Sequence, residues 1–213
     1  MIYRDTRDAS ISADFRTAVM SGMNPESGGL YVPSEYPGLP SSFLRKTPVP
    51  SFRDIAFETV KPYINGEIPD GELQSIIADA YPFNAQITPV DPVTYILELF
   101  HGPTCAFKDF GARFMARVMA WFNRDEQKPL HILVATSGDT GSAVGSAFQG
   151  LTGIDVTILY PAGRISPLQE KQLSTFTGNV RSLAVSGSFD DCQKLVKTAF
   201  TDEELRRKLR LSS

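Results

Sequence analysis

Two short stretches of this chain carry residue types at spacings that could do chemistry. The first is Glu98-Leu99-Phe100-His101-Gly102-Pro103-Thr104-Cys105-Ala106-Phe107-Lys108-Asp109-Phe110-Gly111, a strand end, a turn forced by Gly-Pro, and a lysine among Phe107, Phe110 and Phe114. An amine becomes nucleophilic when dry surroundings lower its pKa, and a lysine at the mouth of a strand, just before a helix, is placed to form a Schiff base with an aldehyde cofactor. The plainer reading is a snorkelling lysine whose stem covers aromatic surface while its head reaches water. For an arbitrary lysine the plainer reading prevails, and position alone does not rescue the sharper one. The second stretch is Ala135-Thr136-Ser137-Gly138-Asp139-Thr140-Gly141-Ser142-Ala143-Val144-Gly145, between an apolar run and a segment of small residues. Gly138 and Gly141 let backbone N–H groups approach an anion and a helix N-terminus adds partial positive charge, so the stretch suits a carboxylate or phosphate. Its bland alternative is an ordinary tight strand-to-helix turn.

Neither common nucleotide motif is met. The glycines read G-x-x-G-x-x-x-G rather than G-x-G-x-x-G, and no Lys-Ser or Lys-Thr follows as in a P-loop. Where a dinucleotide fold wants an acid, at the end of the next strand, the chain has Tyr160-Pro161-Ala162-Gly163-Arg164. Arg164 could still meet a 2′-phosphate, which keeps an NADP-binding module as a rival.

The elements that must position these stretches follow from periodicity. Residues 1–92 hold most of the 15 prolines and read as an irregular cap with short helices at 15–20 and 73–78. Residues 93–127 give a strand at 93–100 and a helix at 109–123 with Phe110, Phe114, Val118 and Trp121 or Phe122 on one face. Residues 128–213 form a smaller α/β domain of three β-α units, with β-branched strands at 130–135, 154–160 and 180–185 of the kind buried on both faces. Helix starts are signed by Ser166-Pro167 with Gln169, by Ser188 with Asp191, and by Thr201 with Glu204. The fold class is α/β, an open parallel sheet of β-α units. A buried parallel strand at 93–100 needs neighbours on both edges that the sequence does not supply, so a fragment of a longer protein is expected.

Composition narrows the function classes. With 21 Lys plus Arg against 24 Asp plus Glu, a net charge of −3 leaves no large basic surface for nucleic acid. No apolar run approaches the roughly 20 residues that span a bilayer, so no membrane partner is expected. The charged N-terminus and two cysteines indicate a cytoplasmic protein with reduced thiols, and two His and two Cys without ligand spacing argue against a metal.

Together the two stretches, F-H-G-P-T-x-A-F-K-D-F from Phe100 and A-T-S-G-D-T-G-S-A from Ala135, closely resemble the threonine synthases, pyridoxal-phosphate enzymes of the tryptophan synthase β fold type. S-G-M-N-P-E-S-G-G-L-Y-V-P from Ser21, I-S-P-L-Q-E-K-Q-L from Ile165 and S-F-D-D-C-Q from Ser188 extend the likeness nearly end to end. The resemblance implies that Lys108 is the Schiff-base lysine of pyridoxal 5′-phosphate, at the start of the large cofactor domain. It implies that Ser137, Gly138, Asp139, Thr140 and Gly141 hold the amino acid's carboxylate, with Asp139 near the cofactor's 3′ oxygen. Family members are about twice as long, and their second half brings a glycine-rich loop for the cofactor phosphate and a hydroxyl for the pyridine nitrogen, so this chain alone is expected to bind cofactor poorly and to be inactive.

The implied activity is a carbon-oxygen lyase acting on phosphates. O-phospho-L-homoserine replaces Lys108 on the cofactor, the freed amine is the base at Cα, phosphate leaves from Cγ, and water adds at Cβ to give L-threonine. Arg113 is a conceivable phosphate contact, His101 stays outside the catalytic set, and Cys105 is open to modification by oxidants or is explained equally well by buried small-residue packing. The alternatives are a noncatalytic threonine-synthase-like binding protein and another dehydratase or β-replacement enzyme of the same scaffold. Asp139 favours the threonine-forming lyase, because β-replacement relatives typically carry Asn there. Oligomeric state is not legible.

Overall fold

The N-terminal half builds regular structure wherever its prolines leave a gap. The computed structural model describes residues 1–24 and 26–212, and the chain divides into two units, Met1–Glu98 and everything from Leu99 onward. In the first unit β1 (Tyr3–Asp5), β2 (Ser12–Ala13) and β3 (Tyr31–Pro33) form an antiparallel sheet ordered β2-β1-β3. Helices α1 (Phe15–Ser21) and α4 (Asp70–Ala80) contain the two helical runs read from the sequence, and α2 (Ser41–Leu44) and α3 (Phe52–Ile64) lie between them. The 13-residue α3 occupies a stretch that reads as irregular. A reciprocal Ser51–Asp54 capping box starts it, Asn65 in the left-handed region (φ 54°) ends it, and Pro62 falls in the last turn, where it removes a single backbone donor. The buried Asp5 carboxylate organises the unit's loops by accepting from the N–H groups of Arg7 (2.7 Å) and Asp8 (3.0 Å), the Asn24 amide (2.9 Å) and the Ser27 hydroxyl (2.6 Å). A Cβ at Gly29 would sit 2.1 Å from that carboxylate, which accounts for the glycine.

The strand expected at 93–100 is shorter and differently paired. β5 (Tyr95–Glu98) lies antiparallel to β4 (Gln86–Pro89), joined by a turn in which the Asp91 carboxylate accepts from Val93 N–H (2.9 Å) and Thr94 N–H (2.8 Å). The pair is therefore a hairpin, with Ile87, Tyr95, Ile96 and Leu97 exposed, not a buried parallel strand. An aspartate closing a local turn brings an antiparallel partner from the residues just upstream.

The second unit is the α/β sheet. After α5 (Lys108–Asn123) come β6 (Leu130–Ala135), α6 (Asp139–Phe148), β7 (Ile154–Pro161), α7 (Pro167–Ser174), β8 (Val180–Val185), α8 (Phe189–Thr201), α9 (Glu203–Lys208) and β9 (Arg210–Ser212). The four strands are parallel in the order β8-β7-β6-β9. Ile132, Ile154, Val156 and Ile158 are almost fully buried between the layers, and each such side chain contributes about 1.5–3 kcal/mol over an exposed one. The fourth strand, β9, is absent from the sequence reading. The buried residues of α5 also differ from the expected stripe: Asp109, Ala112, Ala116, Met119 and Asn123 are inside together with Val118 and Phe122, while Phe110, Phe114 and Trp121 are half-buried. Small residues let α5 lie close to α6, which itself buries Gly141, Ser142, Ala143, Val144, Gly145, Ala147 and Phe148. Ser166–Gln169 and Ser188–Asp191 are the reciprocal boxes foreseen, but α9 is capped by Asp202, which accepts from Leu205 N–H, and Thr201 ends α8 instead. No helix among the described residues is long and apolar enough to cross a membrane.

Candidate functional site

Strand order reverses at β6, because the chain proceeds from β6 outward to β7 and β8 and then returns to the opposite edge as β9. Open α/β sheets form their crevice outside the carboxyl end of the strand at such a point. There β6 delivers Thr136, which is 1% exposed. Its Oγ1 accepts from Gly138 N–H (3.0 Å) and Gly141 N–H (2.8 Å) and donates to Gly138 C=O (3.1 Å). The two glycine N–H groups expected to face an anion are thus turned inward, and what Gly138 and Gly141 supply is shape. Gly138 has φ 140°, and a Cβ on it would meet the Gln169 amide at 2.4 Å; one on Gly141 would meet the Thr136 methyl at 2.5 Å. The N–H groups of Asp139 and Thr140, in the first turn of α6, make no hydrogen bond among the described residues. With the helix dipole behind them they are the open donors for an anion. Ser137 and Asp139 are exposed, and Thr140 is half-buried. Asp139 Oδ1 accepts from Gln169 Nε2 at 2.7 Å.

Lys108 is the first residue of α5 and is half-buried. Its Nζ lies 4.5 Å from the Phe107 ring centroid, a cation–π contact. Phe107 itself is 61% exposed, so it forms a floor beneath the amine instead of the dry wall that the aromatic cluster suggested. The turn before the lysine is held by Asp109, fully buried, whose carboxylate accepts from Thr104 N–H and Thr104 Oγ1, both at 2.8 Å. Gly102 is needed because a Cβ there would sit 2.4 Å from that carboxylate. Cys105 adopts φ 58° and is exposed, so it is not the buried packing residue expected. His101 stacks against Phe100, ring centroids 4.7 Å apart.

Two contacts show how α5 and α6 align. Arg117 Nη1 donates to Ala147 C=O at 2.6 Å, and Asn123 Nδ2 donates to Gly153 C=O at 2.8 Å, each across 30 residues. Ala147 is in the last turn of α6 and Gly153 in the loop that follows it, so the C-terminal half of α5 lies beside the C-terminal end of α6, and the two N-termini, with Lys108 on one and residues 137–141 on the other, lie at the same end. A primary amine, two open backbone donors and the Asp139 carboxylate are a donor set that fits a cofactor bearing an aldehyde and a substrate bearing a carboxylate. Among the described residues no group of three His, Cys, Asp or Glu could hold a metal ion. Arg164 is exposed. Sequence reasoning missed Thr136, Asp109 and Gln169 as shaping residues. A hydroxyl one residue ahead of the S-G-D-T-G run, able to bond backbone groups two and five residues on, was the readable sign of the first.

Residues 2–81 match the family described as Threonine synthase N terminus, and residues 81–208 the family described as Pyridoxal-phosphate dependent enzyme. The threonine synthase of Escherichia coli K12 is 43% identical over 207 residues, 97% of this chain and 48% of its own length. That of Haemophilus influenzae is 53% identical over 150 residues, 70% of this chain and 35% of its own. Among solved structures, Escherichia coli threonine synthase superposes with a TM-score of 0.90 at 42% identity, covering 100% of this chain and 49% of that one. A pyridoxal-phosphate-bound threonine synthase from Brucella melitensis gives 0.89 at 38% identity, covering 100% and 47%. The chain spans about half the length of these relatives.

Proposed function

The chain belongs to the pyridoxal-phosphate-dependent enzymes and resembles the N-terminal portion of the threonine synthases, and on that premise we propose that it carries the amine and the substrate loop of an enzyme converting O-phospho-L-homoserine and water to L-threonine and phosphate. The observation that carries this reading is the placement of Lys108 and residues 137–141 at one end of the α5–α6 pair. Pyridoxal phosphate, when bound, supplies an electron sink for a carbanion next to an amino group.

The rest falls to side chains and backbone of this chain. Lys108 Nζ would hold the cofactor's aldehyde carbon at rest, and its amine, once free, would be the base for the substrate's Cα proton and, after giving that proton up, for the Cβ proton whose removal lets phosphate leave Cγ. The N–H groups of Asp139 and Thr140, with the Ser137 hydroxyl, bind the substrate carboxylate, while Gly138 and Gly141 give the loop its shape. Thr136 keeps those donors oriented by occupying the inward-facing N–H groups, so no reorganisation is needed as the anion arrives. Asp139, restrained by Gln169, would be the carboxylate near the cofactor's 3′ oxygen.

The test uses the intact protein that carries this sequence. Phosphate and threonine release from O-phosphohomoserine should fall at least about a thousandfold in Lys108→Ala, in keeping with loss of a proton-transferring nucleophile. Borohydride should fix the cofactor mass on a peptide containing Lys108 in the wild type and not in the variant. Equal turnover in the two proteins overturns the assignment.

A further inference from the structure

We propose that Gln169 is a positioning residue for Asp139, specified as glutamine by that carboxylate and not by the helix it caps; this rests on the reading of residues 137–141 as the substrate loop. At the third position of α7 the side chain closes a capping box: Oε1 accepts from Ser166 N–H at 3.1 Å, and Ser166 Oγ accepts from Gln169 N–H at 3.2 Å. Either glutamine or glutamate performs that task. With Oε1 committed to an N–H donor, Nε2 is the only end left, and it donates to Asp139 Oδ1 at 2.7 Å. Turning the amide over would set oxygen against carboxylate and nitrogen against N–H, so both bonds fail together. Gly138 has no Cβ, and the Gln169 amide fills the space where one would be. One amide therefore ties the cap of α7 to the first residue of α6 and lies against the backbone between them.

The discriminating substitution is Gln169→Glu, which keeps the capping group and replaces the Asp139 donor by a like charge. In the intact protein, hydrogen exchange of the peptide covering residues 136–142 should accelerate about tenfold or more, the scale of a lost charge-assisted hydrogen bond, while residues 166–174 keep their wild-type rates. Gln169→Ala, lacking both contacts, should accelerate both segments. Adding Asp139→Asn to Gln169→Glu restores a donor–acceptor pair with its roles exchanged and should return residues 136–142 toward wild-type exchange. In the assay above, Gln169→Glu should raise KM for O-phosphohomoserine about tenfold with a smaller change in kcat. Wild-type exchange of residues 136–142 in Gln169→Glu, or no recovery in the double variant, overturns the proposal. Lys108→Ala separates the two claims: full turnover there defeats the functional reading, whereas the exchange results stand or fall on their own.

Discussion

Replacing Thr136 by valine tests whether the loop's shape comes from one hydroxyl. Valine is close in volume and suits a strand end, so packing against Gly141 changes little. What disappears is Oγ1, which accepts two N–H groups at 3.0 and 2.8 Å and donates to a carbonyl at 3.1 Å. Gly138 and Gly141 are buried, so their N–H groups lose a partner without gaining water. At about 1–3 kcal/mol for each stranded donor, with some relaxation of the turn, the cost should be about 2–4 kcal/mol. Thr136→Ser keeps the hydroxyl and loses one methyl, a cost of about 1 kcal/mol. The comparison is made by urea unfolding of the intact protein, the separation of the two midpoints giving, through the common m-value, the hydroxyl's share less the methyl that serine loses. Valine should also speed exchange of residues 136–142 more than serine does. If valine proves no less stable than serine, the hydroxyl does not hold the loop and the inward-turned N–H groups must be satisfied otherwise.

Gly138→Ala, at φ 140° and 2.4 Å from the Gln169 amide, should lose about 1–3 kcal/mol through backbone strain and displace the amide from Asp139; the unfolding midpoint and the KM for O-phosphohomoserine measure the two effects. Asp5 has its carboxyl held down at about 2, chiefly by the Ser27 hydroxyl and then by the Arg7 and Asp8 N–H groups and Asn24. A folded pKa below the unfolded one gives stability that is present above about pH 4 and is lost as pH falls toward 2. The acid limb of unfolding followed over that interval should therefore be shallower in Asp5→Asn than in wild type, and identical limbs would remove Asp5 from the account.

Much of the sheet was legible because its strands are short apolar runs bounded by turn residues: residues 130–135 and 180–185 are strands to the residue, although β8 is an edge strand with Leu183 exposed and is not buried on both faces as expected. β9 was not, since three residues headed by Arg210 carry no periodic pattern. Only its pairing partner, Leu130 opposite Arg210, makes it a strand. The hairpin was hidden in a similar way, because Gln86–Pro89 ends in a proline and presents few apolar residues. At the site, the residue types that do chemistry stood out, Lys108 and the 137–141 turn. Their scaffold did not, because Thr136, Asp109 and Gln169 act through contacts that bridge turns or elements, and a side chain's second hydrogen bond leaves no trace in spacing. The cap at Gln169 is readable from its spacing to Ser166; the 30-residue reach to Asp139 belongs to the folded chain.

The return of β9 to the near edge of β6 has a consequence for biosynthesis. Arg210 reaches back to Asn123 (2.8 Å) and Lys128 (2.9 Å), across 87 and 82 residues, so on the ribosome β6 waits with one bare flank while β7 and β8 are made and docked. A nascent chain in that interval exposes an unpaired parallel edge, the surface that holdases seize and that seeds coalescence with neighbouring polypeptides.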